Sequence, residues 1–252
     1  MDYKKRIGQF ITTEMERTSS IKAQERYLDN HRERFDYTLK LCLEMKPSQE
    51  SRILDIGRSA FSNMLAKHYT SVTTLGFPLI EDQGGHREND AFQGIGHIVF
   101  DLNDSKYVDK WPAPSEKFDL IIYAETIEHI HTSPEFSLLM LRSLLKEDGL
   151  LLISTPNAAS AHKRIRLLLG QNPYERIRFI AENPGHFREY TMKELIQMCT
   201  SCNLTVHKAR YKKLSRLNPF GSFRALKFLP IKPFEYVTPF KDALFIIAQK
   251  KS

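Results

Sequence analysis

A chain of 252 residues, 41% of them hydrophobic, can bury a full core and fits one α/β domain with additions. Its three cysteines, Cys42, Cys199 and Cys202, are too few and oddly numbered for a disulfide framework. Cys199 and Cys202 have metal-ligand spacing, but no second pair accompanies them, so buried free thiols in a reducing compartment are expected, and no metal. The formal charge of +7 is uneven: residues 204–252 hold 11 Lys/Arg against 2 Asp/Glu, and the remainder is slightly acidic. Such a basic end suits either an anionic partner or a solvated surface. The polar start, Met1 to Lys5, is not a secretory signal, and the most apolar stretch, Leu138 to Ile153, is broken by charges and cannot span a bilayer. A cytoplasmic protein is expected.

Residues 1–48 read as a helical extension that ends at Pro47-Ser48, with Phe35, Leu39, Leu41 and Met45 on a loose apolar face. Ile53 to Ile56 reads as the first strand. It ends in an acid and a glycine, Asp55 and Gly57, and runs into a helix whose Phe61, Met64, Leu65 and His68 share one face. A strand–glycine–helix junction of this kind can hold a nucleotide-like ligand, because backbone N–H groups at the helix start face it. Val72 to Phe77 and His97 to Phe100 read as the next strands, separated by a polar loop, and Leu120 to Tyr123 as the fourth. Ser133-Pro134-Glu135 carries the signals of a helix start, with serine as the cap, and Asp148-Gly149 of its stop before the fifth strand. Residues 158–185 interrupt the alternation. Thr191 with Glu194 predicts a capping box for a helix over 192–199, and Leu204 to Val206 and Ala243 to Ala248 suit the last two strands.

Three segments carry the functional signal: Arg52-Ile53-Leu54-Asp55-Ile56-Gly57-Arg58-Ser59, the run from Phe118 through Glu125-Thr126-Ile127-Glu128-His129-Ile130, and Leu150 to Asn157. In this order and spacing, over roughly residues 50–205, the chain resembles class I S-adenosylmethionine (SAM) dependent methyltransferases. The resemblance implies a Rossmann-like, seven-stranded, mostly parallel sheet with helices on both faces and the last strand antiparallel. Residues 49–252 would form that domain, with 158–185 and 212–241 as acceptor-side insertions.

The resemblance also implies a cofactor site for SAM. Asp55, Gly57 and Ser59 would form the turn against its amino-acid end, although Arg58, Ser59 and Ala60 stand where the family has further glycines. No acid ends the second strand before Glu81 and Asp82. Either one of these reaches back to the ribose, or Gly76 and Phe77 pack on the nucleoside. Asp101 would accept from the adenine amino group, and Leu102 would pack the base. The backbone of Tyr123 and Ala124 would line the methionine part, with Glu125 toward its ammonium.

His129, His131 and His186 are the candidate catalytic bases, since imidazole titrates near neutral pH. The segment Pro184 to Thr191 resembles a feature of methyltransferases acting on sugars. It offers His186, Arg188 and Tyr190 to a polar acceptor, and Asn157 adds a further contact. Asn172-Pro173-Tyr174 is similar to a motif of amino-directed nucleic-acid enzymes but stands in the wrong place.

The reading is O-methylation of a sugar, glycan or similar polar small molecule. A non-enzymatic relative with weakened SAM binding and an RNA methyltransferase are the alternatives, and a nucleic-acid partner is not expected. An oxidoreductase lacks the G-x-G-x-x-G run. Lys212 to Lys241 interleaves cations with aromatics, as at an acceptor-site wall touching an anionic membrane.

Overall fold

The computed structural model describes residues 21–45, 47–78, 94–178, 185–214 and 237–251. Its seven strands are β1 (Arg52–Ile56), β2 (Ser71–Gly76), β3 (Gly96–Val99), β4 (Phe118–Ala124), β5 (Leu145–Pro156), β6 (Leu204–Lys212) and β7 (Ala243–Lys250). They form one open sheet in the order β3-β2-β1-β4-β5-β7-β6. The first five run parallel, and β7 runs antiparallel to both β5 and β6.

The helices are α1 (Ile21–Glu44), α2 (Ala60–Ala66), α3 (Pro134–Leu144), α4 (Ala161–Leu168) and α5 (Met192–Ser201). β4, β7 and the later part of β5 are near-continuous apolar runs because both faces are covered there. On one face Phe35, Leu41 and Cys42 of α1 and Phe61 and Leu65 of α2 pack on Ile53, Leu120, Ile122, Leu152 and Phe245. On the other, Leu138, Leu141 and Leu144 of α3 and Leu195 and Met198 of α5 pack on Leu54, Ile121, Tyr123 and Ile153. Successive residues of β1 and β4 thus feed opposite cores, as a pleat requires.

Several boundaries differ from expectation. The Ser133 hydroxyl makes no cap bond and donates instead to the Glu135 carboxylate, so proline at the first turn carries the start of α3. That helix ends at Leu144, and β5 begins at once with charged Lys146 and Glu147, which pair with Asp119 and Lys250. A Cβ on Gly149 would stand 2.9 Å from the Lys146 carbonyl, which explains the glycine there. β6 extends to Lys212, past the apolar run, because β7 pairs with it along its length. The capping box at Thr191 and Glu194 forms as expected. All three cysteines are buried free thiols. Residues 1–20, Glu81, Asp82 and 215–236, which hold most of the basic aromatic stretch, lie outside the described residues. No helix among the described residues is long and apolar enough to cross a membrane.

Candidate active site

The strand order reverses between β1 and β4, where β2 lies on one side and β5 on the other. In open α/β sheets the crevice at such a point, outside the carboxyl ends of the strands, is where ligands bind. A cavity opens there. Its walls are Ile56 and Gly57 after β1, Leu75 to Pro78 after β2, Phe100 to Asn103 after β3, and Thr126, His129 and Ile130 after β4.

The turn after β1 is built with one left-handed residue. Gly57 has φ +84°, and a Cβ there would meet nothing within 4 Å. Ser59 is already extended at φ −152° and caps α2 by accepting from Phe61 N at 3.2 Å. The Ser62 hydroxyl accepts from Ser59 N and donates to Asp55 Oδ2 at 2.7 Å. The turn therefore needs no further glycine. Asp55 is buried beneath it, away from the cavity walls, and burial pushes its carboxyl up to about 7. Its part is to support the turn through Ser62.

Gly76 and Phe77 stand beside Gly57, with the Phe77 side chain 46% exposed. His97 fixes this edge. Its Nε2–H donates to the Phe77 carbonyl at 2.9 Å, and its Nδ1 lies 2.8 Å from the Thr74 hydroxyl. In the sequence His97 marks only the start of a strand, because its partners at Thr74 and Phe77 lie 23 and 20 residues away. Asp101 follows the sheet edge: Phe100 N donates to the Gly76 carbonyl, and Asp101 Oδ1 accepts from both Asn103 N and Asn103 Nδ2. Its other oxygen is left for a ligand donor. Leu102 is 9% exposed and joins core and cavity.

The Tyr123 side chain is buried and bonded to the Ser137 hydroxyl, so only its backbone can line a ligand. Glu125 makes contacts that the sequence does not display. It has φ +50°, accepts from Ser154 Oγ, and pairs with Arg34 of α1 at 3.1 Å. The carboxylate is turned to that guanidinium and is not a cavity wall. The helical extension thus supplies a charge to this end of the sheet.

Beyond the cavity the loop at Gly185 docks on the segment after β4. Phe187 N and Arg188 N both donate to the Glu128 carbonyl. His129 Nδ1–H donates to the Gly185 carbonyl at 2.9 Å. This brings His186 against His129, ring centroids 4.8 Å apart and edge to face. Glu128, 1% exposed, accepts from Thr155 Oγ1 at 2.9 Å. Burial raises the Glu128 carboxyl well above its ordinary range, and the charge of Glu125 adds to this. Burial lowers both imidazoles, His186 to about 4. His131 lies to the side, its ring against Phe187 and its backbone N–H donating to Asn103 Oδ1.

Two of the expected acceptor contacts do not face a ligand. Asn157 is 1% exposed and uses its amide on the carbonyls of Pro239 and Lys241 and on Ala159 N, which fixes the backbone just before β7. Tyr190 is 4% exposed, in a bridge with Asn157. Arg188 is exposed and pairs with Glu194. Glu128, Thr155 and Gly185 were not assigned site roles from sequence. Their grouping needs contacts across 27 and 56 residues, which no local pattern displays.

A family model described as a methyltransferase domain matches residues 24–209. No curated protein matches the sequence. Among solved structures, the N-methyltransferase NodS from Bradyrhizobium japonicum WM9, in complex with S-adenosyl-l-homocysteine, is 17% identical over 96% of this chain and 98% of its own, with a TM-score of 0.58. A methyltransferase from Haloferax volcanii, in complex with the activator Trm112, is 14% identical over 92% and 95%, with a TM-score of 0.60. Magnesium protoporphyrin IX methyltransferase from Synechocystis PCC 6803 is 12% identical over 88% and 84%, with a TM-score of 0.53.

Proposed function

The chain belongs to the methyltransferase-domain family, and from that premise we propose that it transfers the methyl group of SAM to a hydroxyl of a sugar, glycan or similar polar small molecule. The observation that carries the reading is the continuity of one cavity from Gly57 and Asp101 to His129, with the Glu128–His186 cluster adjoining its far end. The residues present fit the cofactor. Open space over Gly57 admits close backbone approach, and the spare oxygen of Asp101 suits an exocyclic amino group. Phe77 and Leu102 offer apolar surface to a base.

When bound, SAM supplies the electrophilic methyl group. The chain's part is to hold that group in line with the acceptor oxygen and to help the oxygen lose its proton. The polar side chains at the far end, His129, His186 and Glu128, suit a hydroxyl-bearing acceptor. The interleaved cations and aromatics of the sequence 212–241 suit a contact with anionic lipid. Co-sedimentation with anionic vesicles at low salt tests that contact, and its absence there ends it.

The experiment for the main reading is calorimetry with SAM and its demethylated product, followed by a methyl-transfer screen over nucleotide sugars, glycans, amines and RNA. Saturable binding with transfer to hydroxyl acceptors is expected. Binding with transfer only to amines or RNA overturns the acceptor class, and failure to bind SAM returns the chain to the non-enzymatic alternative.

A further inference from the structure

We propose that Glu128, His129 and His186 form a binding site for one divalent transition-metal cation at the acceptor end of the cavity. One donor atom of each of the three residues lies within 4.8 Å of the others. Glu128 Oε1 and His129 Nε2 are 4.0 Å apart. Donors bound to one ion at 2.0–2.2 Å stand about 3–4 Å from one another, so the groups close on an ion by up to about 1–2 Å, within reach of side-chain adjustment.

Three further observations point to a cation. Glu128 is 1% exposed and its Oε2 is held by Thr155, yet its Oε1 has no hydrogen-bond partner. A buried carboxyl oxygen without a hydrogen-bond partner is costly whether or not it holds a proton, and a cation would displace any proton and satisfy it. Both imidazoles also have a nitrogen lone pair to offer. His129 gives its Nδ1–H to the Gly185 carbonyl, which leaves the Nε2 lone pair on the side of Glu128. His186 Nδ1 stands 3.3 Å from Glu189 Oε1, and since a carboxylate only accepts, its Nε2 too carries a lone pair. Carbonyl and carboxylate partners of this kind orient metal-binding imidazoles in known sites. Glu189 is fixed in turn by buried Lys163.

Two imidazoles and one carboxylate favour Zn²⁺, Mn²⁺, Fe²⁺ or Co²⁺ over the hard ions that take only oxygen. Three protein donors leave coordination positions open, and His129 places them beside the cofactor cavity. The function of the ion rests on the reading of a hydroxyl acceptor. The acceptor hydroxyl binds the ion, its pKa falls, and it releases its proton to water. The oxygen lone pair then forms the new O–CH₃ bond as the C–S bond breaks, its electron pair staying on sulfur. Sulfonium and alkoxide charges cancel, giving the methyl ether and S-adenosylhomocysteine.

The test uses the full chain, stripped with a chelator and titrated with Zn²⁺ and, separately, Mn²⁺. Saturable binding of one equivalent of either ion is expected, weakened at least tenfold in Glu128→Gln and in His186→Ala, with binding of S-adenosylhomocysteine as the check that both variants fold. Should a variant not fold, broadening of His129 and His186 imidazole resonances by Mn²⁺ in the wild type gives the same answer. Absence of saturable binding of both ions, wild-type affinity in both folded variants, or broadening elsewhere overturns the site. An ion that binds here while no hydroxyl acceptor is methylated supports the site and defeats the acceptor reading. Hydroxyl methylation undiminished in stripped protein overturns the role of the ion and leaves the acceptor reading standing.

Discussion

His129 donates from Nδ1 to the carbonyl of Gly185 at 2.9 Å, and this bond joins the end of the fourth strand to a loop 56 residues away. It sets which imidazole nitrogen is free, and the neighbouring backbone bonds to the Glu128 carbonyl hold the loop in register with it. The acceptor end of the cavity is therefore assembled by tertiary contact rather than by any one segment.

Gly185 has φ +84°, and an added Cβ would stand 3.0 Å from the Glu175 carboxylate. The side-chain end can swing away, so strain in the left-handed backbone is the main cost of Gly185→Ala, about 1 kcal/mol. We predict a small fall in melting temperature and a larger loss of methyl transfer, with SAM affinity unchanged. Turnover equal to wild type would show that the carbonyl does not position His129.

Asp101→Ala removes an acceptor at the cavity wall and should weaken SAM binding by about 1 kcal/mol or more. Calorimetry reads this directly. Asp101 also organises the turn through Asn103, whose Oδ1 receives His131 N. Asp101→Asn keeps the turn and separates the two effects. Loss in both variants assigns the effect to the ligand, and loss in the alanine variant alone assigns it to the turn.

The buried Asp55 carboxyl is raised to about 7 from 3.8. The folded state thus holds the proton more tightly than the unfolded state. The contribution of Asp55 to stability is greatest below about pH 4 and falls as pH rises to about 7, by at most about 1.4 kcal/mol per pH unit. Asp55→Asn keeps an acceptor for Ser62 and removes this dependence. Its stability relative to wild type should rise between pH 4 and pH 8 in denaturant titrations. A constant difference would mean that Asp55 stays ionised throughout.

Lys163 and Glu189 are both buried and paired, and burial lowers the lysine to about 8. Breaking a buried pair from one side costs about 3–5 kcal/mol, because the remaining charge is left unsatisfied. Lys163→Met should therefore destabilise strongly, while Lys163→Met with Glu189→Leu should recover much of the loss. Additive losses in the two single variants would show that the pair is not coupled.

Much of this arrangement is legible in the sequence, for identifiable reasons. Strands covered on both faces must be largely apolar, and β1, β4 and β7 are. Gly57 can be read because a sharp strand-to-helix turn needs left-handed backbone. The start of β5 cannot, since Lys146 and Glu147 look like a helix end and are made strand by partners at Asp119 and Lys250. Glu125 was expected at the cofactor and faces Arg34, a contact across 91 residues. Asn157 ends its strand as a polar acceptor contact would, yet it serves the chain's own carbonyls at 239 and 241. In each case a distant partner, which no local pattern displays, fixes the contacts that the side chain makes.

Thr155 tests whether Glu128 acts through its orientation. The threonine is fully buried at the end of β5, and its hydroxyl is the hydrogen-bond donor to Glu128 Oε2. Thr155→Val preserves shape and removes that donor, leaving both carboxylate oxygens without one. Loss of a bond to a buried acceptor costs about 1–3 kcal/mol. We expect a fall in stability of that size, a clear drop in turnover, and SAM affinity near wild type, because Thr155 does not line the cofactor cavity. Thr155→Ser restores the hydroxyl at the price of a methyl group and should recover turnover before it recovers stability. A valine variant with normal turnover would show that the Thr155 bond only stabilises the fold, and that Glu128 is held by its backbone contacts with the Gly185 loop.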